Sequence, residues 1–494
     1  MKTLSYLIIA LYTGMMAFIF LYALVQLSLV IHYVRAKRKG LAYPKPKDFE
    51  EWPMVTVQLP VYNERYVVER LIEATAALDY PKDRMEIQVL DDSTDDTVDR
   101  IAESVQRFQS DGCIIHHVRR PYRQGYKAGA LAFGLETALG EYVAIFDADF
   151  VPKPDFLMQC IPLFADENIG LVQSRWEHLN ENHSLLTRMQ AFGLNAHFSV
   201  EQGGRYAGEH FINFNGTAGV WRRSCIDDAG GWASDTLTED LDLSYRAQLC
   251  GWKFHFIEEL GSPAELPASM NALKTQQFRW TKGAAECARK NLGKVLRAPI
   301  GWSTKVHATF HLMNSFLFLC ILFTAILSVP MLFIKDSFPE FRNIFYFGSI
   351  FVISLLILTV FYWVSYVHRE TRPRLHVFLI KFPMFLSVSM GMSLHNAVAV
   401  LEGLIGRKTP FVRTPKFNVE EGSKGWRSNV YLKSALNVVT LVEGLLAIYF
   451  MGALYVAYEL GDFGLVPYHL MLAFGFGTVY VLSVLHSIRG SWLK

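Results

Sequence analysis

The chain has 494 residues, of which 51% are hydrophobic and 19% charged, and its formal net charge is +2. This composition is too apolar for an ordinary soluble protein and too charged for a protein that lies wholly in a bilayer. Polar and apolar residues are therefore expected to be segregated along the chain. The six cysteines form no CxxC pair, which argues against a zinc site and a disulfide framework.

An apolar segment opens the chain. Residues 4–31 are almost wholly apolar, and a basic stretch follows at residues 32–39. The run is too long for the core of a signal peptide, so we predict a retained membrane helix within residues 1–40. Because a basic flank favours the cytoplasmic side, residues 41–300 are predicted to form a cytoplasmic domain.

Strand-like and helix-like patterns alternate in this domain. Short apolar runs predict four strands, at 54–60, 86–90, 114–119 and 142–146. Helical stretches separate them, at 64–78, 95–109 and 125–139. This α/β order predicts a doubly wound, mostly parallel sheet that binds ligands beyond the carboxyl ends of its strands. A dinucleotide-binding fold is the alternative, but the turn after the first strand has no GxGxxG.

Polar side chains follow three of these strands. They are Tyr62-Asn63-Glu64 after the first strand, Asp91-Asp92 after the second and Asp147-Ala148-Asp149 after the fourth. A strand-end carboxylate can accept a hydrogen bond from a base or a ribose, so the first two groups are predicted to bind a nucleotide. Lys127 opens a helix whose N-terminus suits a phosphate, the alternative being a solvated surface lysine.

The Asp-x-Asp group predicts a metal site. In an extended chain Asp147 and Asp149 point to one side, and hard carboxylate oxygens suit Mg²⁺ or Mn²⁺. Such an ion would bridge both side chains to a diphosphate and neutralise a leaving group. An Asp-x-Asp pattern also occurs by chance, but its position at a strand end, in series with two other acidic clusters, favours the metal.

Two later motifs complete the predicted site. In Thr238-Glu239-Asp240, Asp240 with its neighbour Glu239 is predicted to act as the general base on an acceptor hydroxyl, although first-turn helix acids would look the same. In the stretch 276–280, Arg279 is predicted to contact a diphosphate, and Trp280 to stack on an acceptor sugar. Gln276 is predicted to donate a hydrogen bond there. An amphipathic helix with a buried Phe and Trp is the alternative for this stretch.

The region 301–494 is predicted to be a second membrane domain. Its apolar runs lie at about 306–334, 344–367, 375–405, 432–458 and 465–487. Basic links flank 375–405 on both sides, so this run is predicted to be re-entrant or interfacial rather than a crossing. That leaves five crossings in the chain. A sixth crossing is the alternative, and it would place the loop 406–430 outside.

Taken in order, these motifs resemble the processive family 2 glycosyltransferases, with their series Asp, Asp-x-Asp, Thr-Glu-Asp and Gln-x-x-Arg-Trp. The resemblance is strongest to cellulose synthase-like synthases of mannan, glucomannan and xyloglucan backbones, in the stretches 88–95, 126–131, 146–150, 214–222 and 251–254. It implies a GT-A fold and inverting, processive transfer of a hexose from UDP-glucose or GDP-mannose to the non-reducing end of a β-glycan, with export through the membrane domain.

The resemblance also implies roles for residues that pattern alone does not assign. Asn215-Gly216-Thr217 would contact the terminal acceptor sugar. The stretch 411–416 resembles the FxVTxK gating loop, with Phe411, Thr414 and Lys416 at matching positions and Arg413 in place of a small apolar residue.

Expected partners are a sugar nucleotide, a glycan or lipid acceptor and a lipid bilayer, with no nucleic acid, in a cell or Golgi membrane. Two other function classes stay open. One is a single-transfer lipid glycosyltransferase of the ceramide glucosyltransferase type, and the other is a non-catalytic transporter with an accessory domain.

Overall fold

The structure is a computed structural model that describes residues 2–40, 49–341, 350, 352–414, 416, 418 and 437–491. The strands are β1 (Val55–Val61), β2 (Met85–Asp91), β3 (Ile114–Arg119), β4 (Tyr142–Ile145), β5 (Ile169–His178), β6 (Gly219–Arg222) and β7 (Lys253–Ala264). The helices are α1 (Lys2–Lys39), α2 (Val68–Ala76), α3 (Thr97–Ser110), α4 (Tyr126–Thr137), α5 (Phe156–Cys160), α6 (Leu185–Ala196), α7 (Gln202–Ala207), α8 (Arg223–Asp228), α9 (Glu239–Leu249), α10 (Met270–Arg297), α11 (Trp302–Leu312), α12 (Phe316–Ser337), α13 (Val352–Arg369), α14 (Leu375–Gly391), α15 (Ser393–Ile405), α16 (Val438–Glu459) and α17 (Val466–Ser491).

The strands form one seven-stranded sheet in the order β3-β2-β1-β4-β6-β5-β7. β1 pairs in parallel with β2 and β4, and β2 pairs in parallel with β3, whereas β6 runs antiparallel to both of its neighbours. The predicted mostly parallel sheet is confirmed, and each of the four predicted strands ends within one residue of its observed bounds.

Two hydrophobic cores cover the two faces of the sheet. On one face, Leu71 of α2 and Ile101 of α3 pack in a core that includes Ala144 of β4. On the other face, Leu131 of α4 packs in a core that includes Val143 of β4. Because consecutive residues of β4 enter opposite cores, the strand is buried on both sides and reads as a continuous apolar run. This doubly wound packing brings the carboxyl ends of β1, β2 and β4 to one edge.

Five helices in the described part of the chain are long and apolar enough to cross a membrane, or six if the bent pair α14 and α15 is one span. The five are α1, α12, α13, α16 and α17. The predicted run 306–334 is wrong at its start, because α11 ends at Leu312 and the apolar helix begins only at Phe316. α11 instead packs beside α9 and α10. Tyr245 of α9 donates a hydrogen bond to the Ala308 carbonyl of α11.

The segment 375–405 forms the pair α14 and α15, bent by 48°. Near its start, Phe378 packs against Phe192 of α6. At its end, Glu402 accepts a hydrogen bond from Lys282 of α10. Both ends of the segment therefore contact helices of the predicted cytoplasmic domain, as a re-entrant or interfacial segment would. The number of crossings stays a prediction.

Candidate active site

A cleft with an open volume of about 1230 Å³ lies at the carboxyl edge of the sheet, between the strand ends, α9, α10 and the loop after α15. Most of the residues predicted from the sequence line it. They are Tyr62, Glu64, Asp92, Lys127, Asp147, Asp149, Asn215, Gly216, Glu239, Asp240, Gln276, Arg279, Trp280, Phe411, Thr414 and Lys416. The roles assigned to them stay predictions, but residues far apart in the chain share one cavity.

Three predicted residues do not line the cleft but accept hydrogen bonds from backbone amides close to it. They are Asn63, Asp91 and Thr217. Asp91 is buried, accepts a hydrogen bond from the Ser93 amide and lies 2.8 Å from His117 Nε2. Burial raises the pKa of Asp91, but these hydrogen bonds outweigh it and hold the pKa below its usual range. Asn63, with φ +55°, accepts from the Thr94 amide, and the Thr217 hydroxyl accepts from the Asp147 amide.

Two arginines after β3 were missed by the sequence reasoning. Arg120 binds Asp92 through two N–H groups, at 2.7 and 2.6 Å, and also donates to the carbonyls of Gln124 and Tyr126. The Arg123 guanidinium lies 3.4 Å from the centre of the Tyr62 ring. The Asp92 carboxylate is thus neutralised by a bidentate pair, which also fixes the loop before α4. The signal for both arginines was their position just after a strand of the same sheet.

Lys127 and Lys416 hold the two carboxylates of the Asp-x-Asp group. Lys127 Nζ lies 2.6 Å from Asp147 Oδ1 and 2.7 Å from the Gly216 carbonyl oxygen. Lys416 Nζ lies 2.5 Å from Asp149 Oδ2. Within the described residues, no three His, Cys, Asp or Glu side chains are grouped as a complete metal cage. Two carboxylates facing a cleft still fit Mg²⁺ or Mn²⁺, since such ions take further ligands from substrate phosphates and water.

Asp240 lies in the first turn of α9, where its carboxylate accepts a hydrogen bond from the Leu241 amide. Burial and the neighbouring Glu239 raise the pKa of Asp240 to about 7, against the opposing effects of Lys127 and the Leu241 amide. Gly216, with φ +80°, keeps the space beside it open, because a Cβ there would lie 3.0 Å from Asp240 Oδ2. A carboxyl group near neutral pKa in a cleft is suited to take a proton.

Helix α10 carries the residues of the 276–280 stretch into the cleft. Gln276 is buried, and the Trp280 ring lies 6.2 Å from the ring of Trp176 on β5. Burial lowers the pKa of Arg279, while Asp147 and Glu239 favour its charged form. Arg279 and Trp280 are adjacent residues of α10, and both line the cleft together with the acidic groups.

The loop after α15 contributes several side chains to the cleft. Phe411 stacks on Tyr126 at 5.5 Å between ring centres, and the Arg279 guanidinium lies 4.7 Å from the Phe411 ring. Arg413, which the sequence reasoning treated as a departure from the motif, lies 2.8 Å from Glu64. Burial raises the pKa of Glu64 to about 7, and Arg413 opposes it. Residues 415, 417 and 419–430 of the predicted loop lie outside the described residues.

Asn215, which precedes Gly216, also lines the cleft. Its Oδ1 accepts a hydrogen bond from Asn213 Nδ2 at 2.9 Å and lies 3.3 Å from His197 Nε2. His197 begins a π-helical turn, His197–Glu201, between α6 and α7. The sequence gave no signal for His197, since the contact depends on how two segments distant from the strand ends pack together.

Comparison with known proteins identifies a protein family that this chain resembles. A family described as "Glycosyltransferase like family 2" matches residues 53–283. The chain is 39% identical over 391 residues to glucomannan 4-beta-mannosyltransferase 2 of Arabidopsis thaliana, covering 76% of this chain and 69% of that protein. It is 35% identical over 441 residues to probable glucomannan 4-beta-mannosyltransferase 15 of the same plant, covering 85% and 79% respectively.

Among solved structures, the chain is similar to the mannosyltransferase PcManGT from Pyrobaculum calidifontis in complex with GDP-Man and Mn²⁺. The TM-score is 0.56 at 20% sequence identity, over 81% of this chain and 100% of that one. At that identity the likeness shows the fold alone, which is the predicted GT-A fold.

Proposed function

This chain belongs to the cellulose synthase-like glycosyltransferases of family 2, and we propose that it transfers mannose from GDP-mannose to the non-reducing end of a β-mannan or glucomannan. The sequence left glucose and mannose open. The two relatives described above are named as mannosyltransferases, and this supports mannose as the sugar and GDP-mannose as the donor.

The observation that carries the proposal is the position of Asp240. Its carboxyl group, with a pKa raised by burial to about 7, lies beside Gly216 at the predicted acceptor end. Lys127 and Arg279 supply positive charge on the side of the Asp-x-Asp group. Glycosyl transfer from a nucleoside diphosphate sugar requires a base for the acceptor hydroxyl and positive charge for the departing diphosphate, and this cleft contains both.

The chemistry follows from this arrangement. Asp240 takes the proton of an acceptor hydroxyl, whose oxygen forms a bond to the anomeric carbon as the bond to the diphosphate breaks, with inversion at that carbon. Lys127 and Arg279 stabilise the departing diphosphate. Asp147 and Asp149 would hold Mg²⁺ or Mn²⁺, which supplies further neutralisation of the leaving group when bound. Trp280 offers a flat apolar face to the acceptor sugar.

The test is turnover by purified full-length protein in detergent. GDP-mannose and UDP-glucose are supplied separately with Mg²⁺ or Mn²⁺ and a manno-oligosaccharide, and both released nucleotide and product size are measured. Transfer of mannose to the oligosaccharide is the expected result. Exclusive use of UDP-glucose would overturn the donor assignment, and a product consisting only of a lipid with one sugar would favour the lipid glycosyltransferase.

We also propose that transfer is processive and that the product leaves through the membrane domain. Stacking on Trp280 does not depend on which repeat unit occupies the site, so the acceptor can stay bound after each transfer. Product sizing at early times, with acceptor in excess over enzyme, is expected to give long chains and few short oligomers. A uniform ladder that lengthens slowly would contradict processivity.

The proposed orientation has the catalytic domain and the loop after α15 in the cytoplasm. Contacts of Lys282 with Glu402, the Arg407 carbonyl and Thr409 support a loop that stays on the side of α10. A cysteine that replaces exposed Lys408 should react with an impermeant reagent only after the inner face is opened. Labelling from outside intact cells would instead support six crossings.

A further inference from the structure

The side chain of Asn215 has a fixed orientation. Asn213 Nδ2 lies 3.2 Å from the Phe214 carbonyl oxygen, which can only accept, so this atom is the amide nitrogen of Asn213. The same nitrogen donates to Asn215 over 2.9 Å, so the atom it meets is the Asn215 carbonyl oxygen. The Asn215 side chain therefore still has two N–H groups with which to donate. Its amide nitrogen makes one long contact, of 3.4 Å, with the Asn213 backbone carbonyl oxygen.

This orientation places His197 between two acceptors. The Asn215 oxygen lies 3.3 Å from His197 Nε2. On the other side of the ring, Nδ1 lies 2.8 Å from Glu201 Oε2. Arg205 and His197 outweigh the effect of burial and hold the pKa of Glu201 far below its usual range. The ring therefore connects the Glu201 carboxylate to the Asn215 side chain.

Among the titratable side chains that surround Glu201 in the described residues, His197 is the one that contacts Asn215. Arg205 is paired with the opposite oxygen of Glu201. His311 of α11 is kept neutral, since burial and Arg205 lower its pKa. Tyr22 of α1 and Tyr362 of α13 are the remaining titratable neighbours of Glu201. Asn215 lines the cleft, so His197 connects the Glu201–Arg205 pair to a cleft residue.

We propose that His197 is a positioning residue for the acceptor: held by Glu201, it fixes Asn215 with its amide N–H groups available to a sugar hydroxyl. The inference rests on the proposed function, in which Asn215 contacts the acceptor. A hydroxyl that accepts from an amide keeps its own hydrogen free to donate. The acceptor sugar is therefore held through its oxygen while its proton stays available to other groups in the cleft.

The test separates acceptor binding from donor binding. KM for a manno-oligosaccharide, KM for the sugar nucleotide and kcat are measured for His197→Phe, which keeps a ring and removes both ring nitrogens. Loss of the hydrogen bond that holds Asn215 predicts an acceptor KM raised about tenfold, with the donor KM within about twofold of wild type. An unchanged acceptor KM, or equal changes in both KM values, would overturn the proposal.

Two further variants address the hydrogen bond and the amide. His197→Gln keeps a donor for Asn215, so it should restore much of the acceptor binding that His197→Phe loses. Asn215→Asp can still accept from His197 and Asn213 but has no N–H group, so it should raise the acceptor KM as His197→Phe does. An acceptor KM in His197→Gln as high as in His197→Phe, or a wild-type acceptor KM in Asn215→Asp, contradicts the mechanism.

The control is a histidine with a similar bond outside the cleft. His255 Nδ1 lies 2.8 Å from the Tyr206 hydroxyl, and His255→Phe should leave the acceptor KM unchanged. Thermal unfolding shows whether each variant is folded, and Asn215→Asp serves if His197→Phe is not. All variants are assayed with whichever sugar nucleotide the wild type uses, so failure of GDP-mannose overturns the proposed function without deciding the role of His197.

Discussion

The two ends of the cleft are built in different ways. The donor end comes from the carboxyl ends of consecutive parallel strands, so Asp92, Asp147 and Asp149 are brought together by the sheet itself. The proposed acceptor end comes from Asn215, which contacts a π-helical turn, and from Trp280 of α10, and these segments meet only through long-range packing. We infer that donor chemistry is set by the fold and acceptor recognition by how the π-helical turn and α10 pack on it.

The largest expected effect is at the junction of the two ends, at Asp240. Asp240→Asn removes the base while leaving the cations that face the diphosphate, so kcat should fall by about 10²–10⁴ with sugar-nucleotide binding retained. Calorimetric titration of the nucleotide and single-turnover transfer measure the two effects. Asp227→Asn, on a carboxylate 66% exposed, is the matched control and should transfer at the wild-type rate. Substantial activity in Asp240→Asn would assign the base elsewhere.

The next effect is confined to the donor end. Asp149→Asn replaces a charged oxygen ligand by a neutral one, and we expect transfer to fall about 100-fold and to need more Mn²⁺ for half-maximal rate. The acceptor KM should stay unchanged, since Asp149 pairs with Lys416 and not with the acceptor end. Titration with Mn²⁺ provides the measurement, and Asp155→Asn provides an exposed carboxylate as control. Full wild-type activity in excess EDTA would contradict a role for the metal.

A smaller effect is expected at the acceptor end. Trp280→Ala removes the indole that packs near Trp176, and acceptor binding should weaken by about 1–3 kcal/mol if stacking on a sugar resembles other aromatic burial. The KM for the sugar nucleotide should stay unchanged. Trp302→Ala, on a side chain that is 78% exposed, controls for loss of any tryptophan. If the donor KM of Trp280→Ala rose as much as the acceptor KM, the division of the cleft into two ends would be wrong.

The same division explains what the sequence could predict. β1 to β4 are local patterns, and their carboxyl ends meet by the rule for parallel sheets, so the acidic groups were found from spacing alone. Arg120 and Arg123 follow β3 by that same rule, and applying it to basic residues would have found them. His197 has no such signal, because its partner Asn215 is reached only through a π-helical turn. The start of the helix at Phe316 was missed because α11 is apolar enough to read as part of the span.

The smallest effect is expected at Glu64, and it sharpens the assignment of the base. Burial raises the pKa values of both Asp240 and Glu64 to about 7, so either could produce a pH dependence near neutrality. A base must be ionised, so kcat should fall about tenfold per unit as pH drops below that pKa. Glu64 pairs with Arg413, on the donor side of the cleft. Glu64→Gln keeps a side-chain oxygen that can accept from Arg413, so it should keep the acidic limb and change kcat by less than about threefold. If the limb disappears in Glu64→Gln, the titrating group belongs to the donor end, and the loop carrying Arg413 governs the pH dependence of transfer.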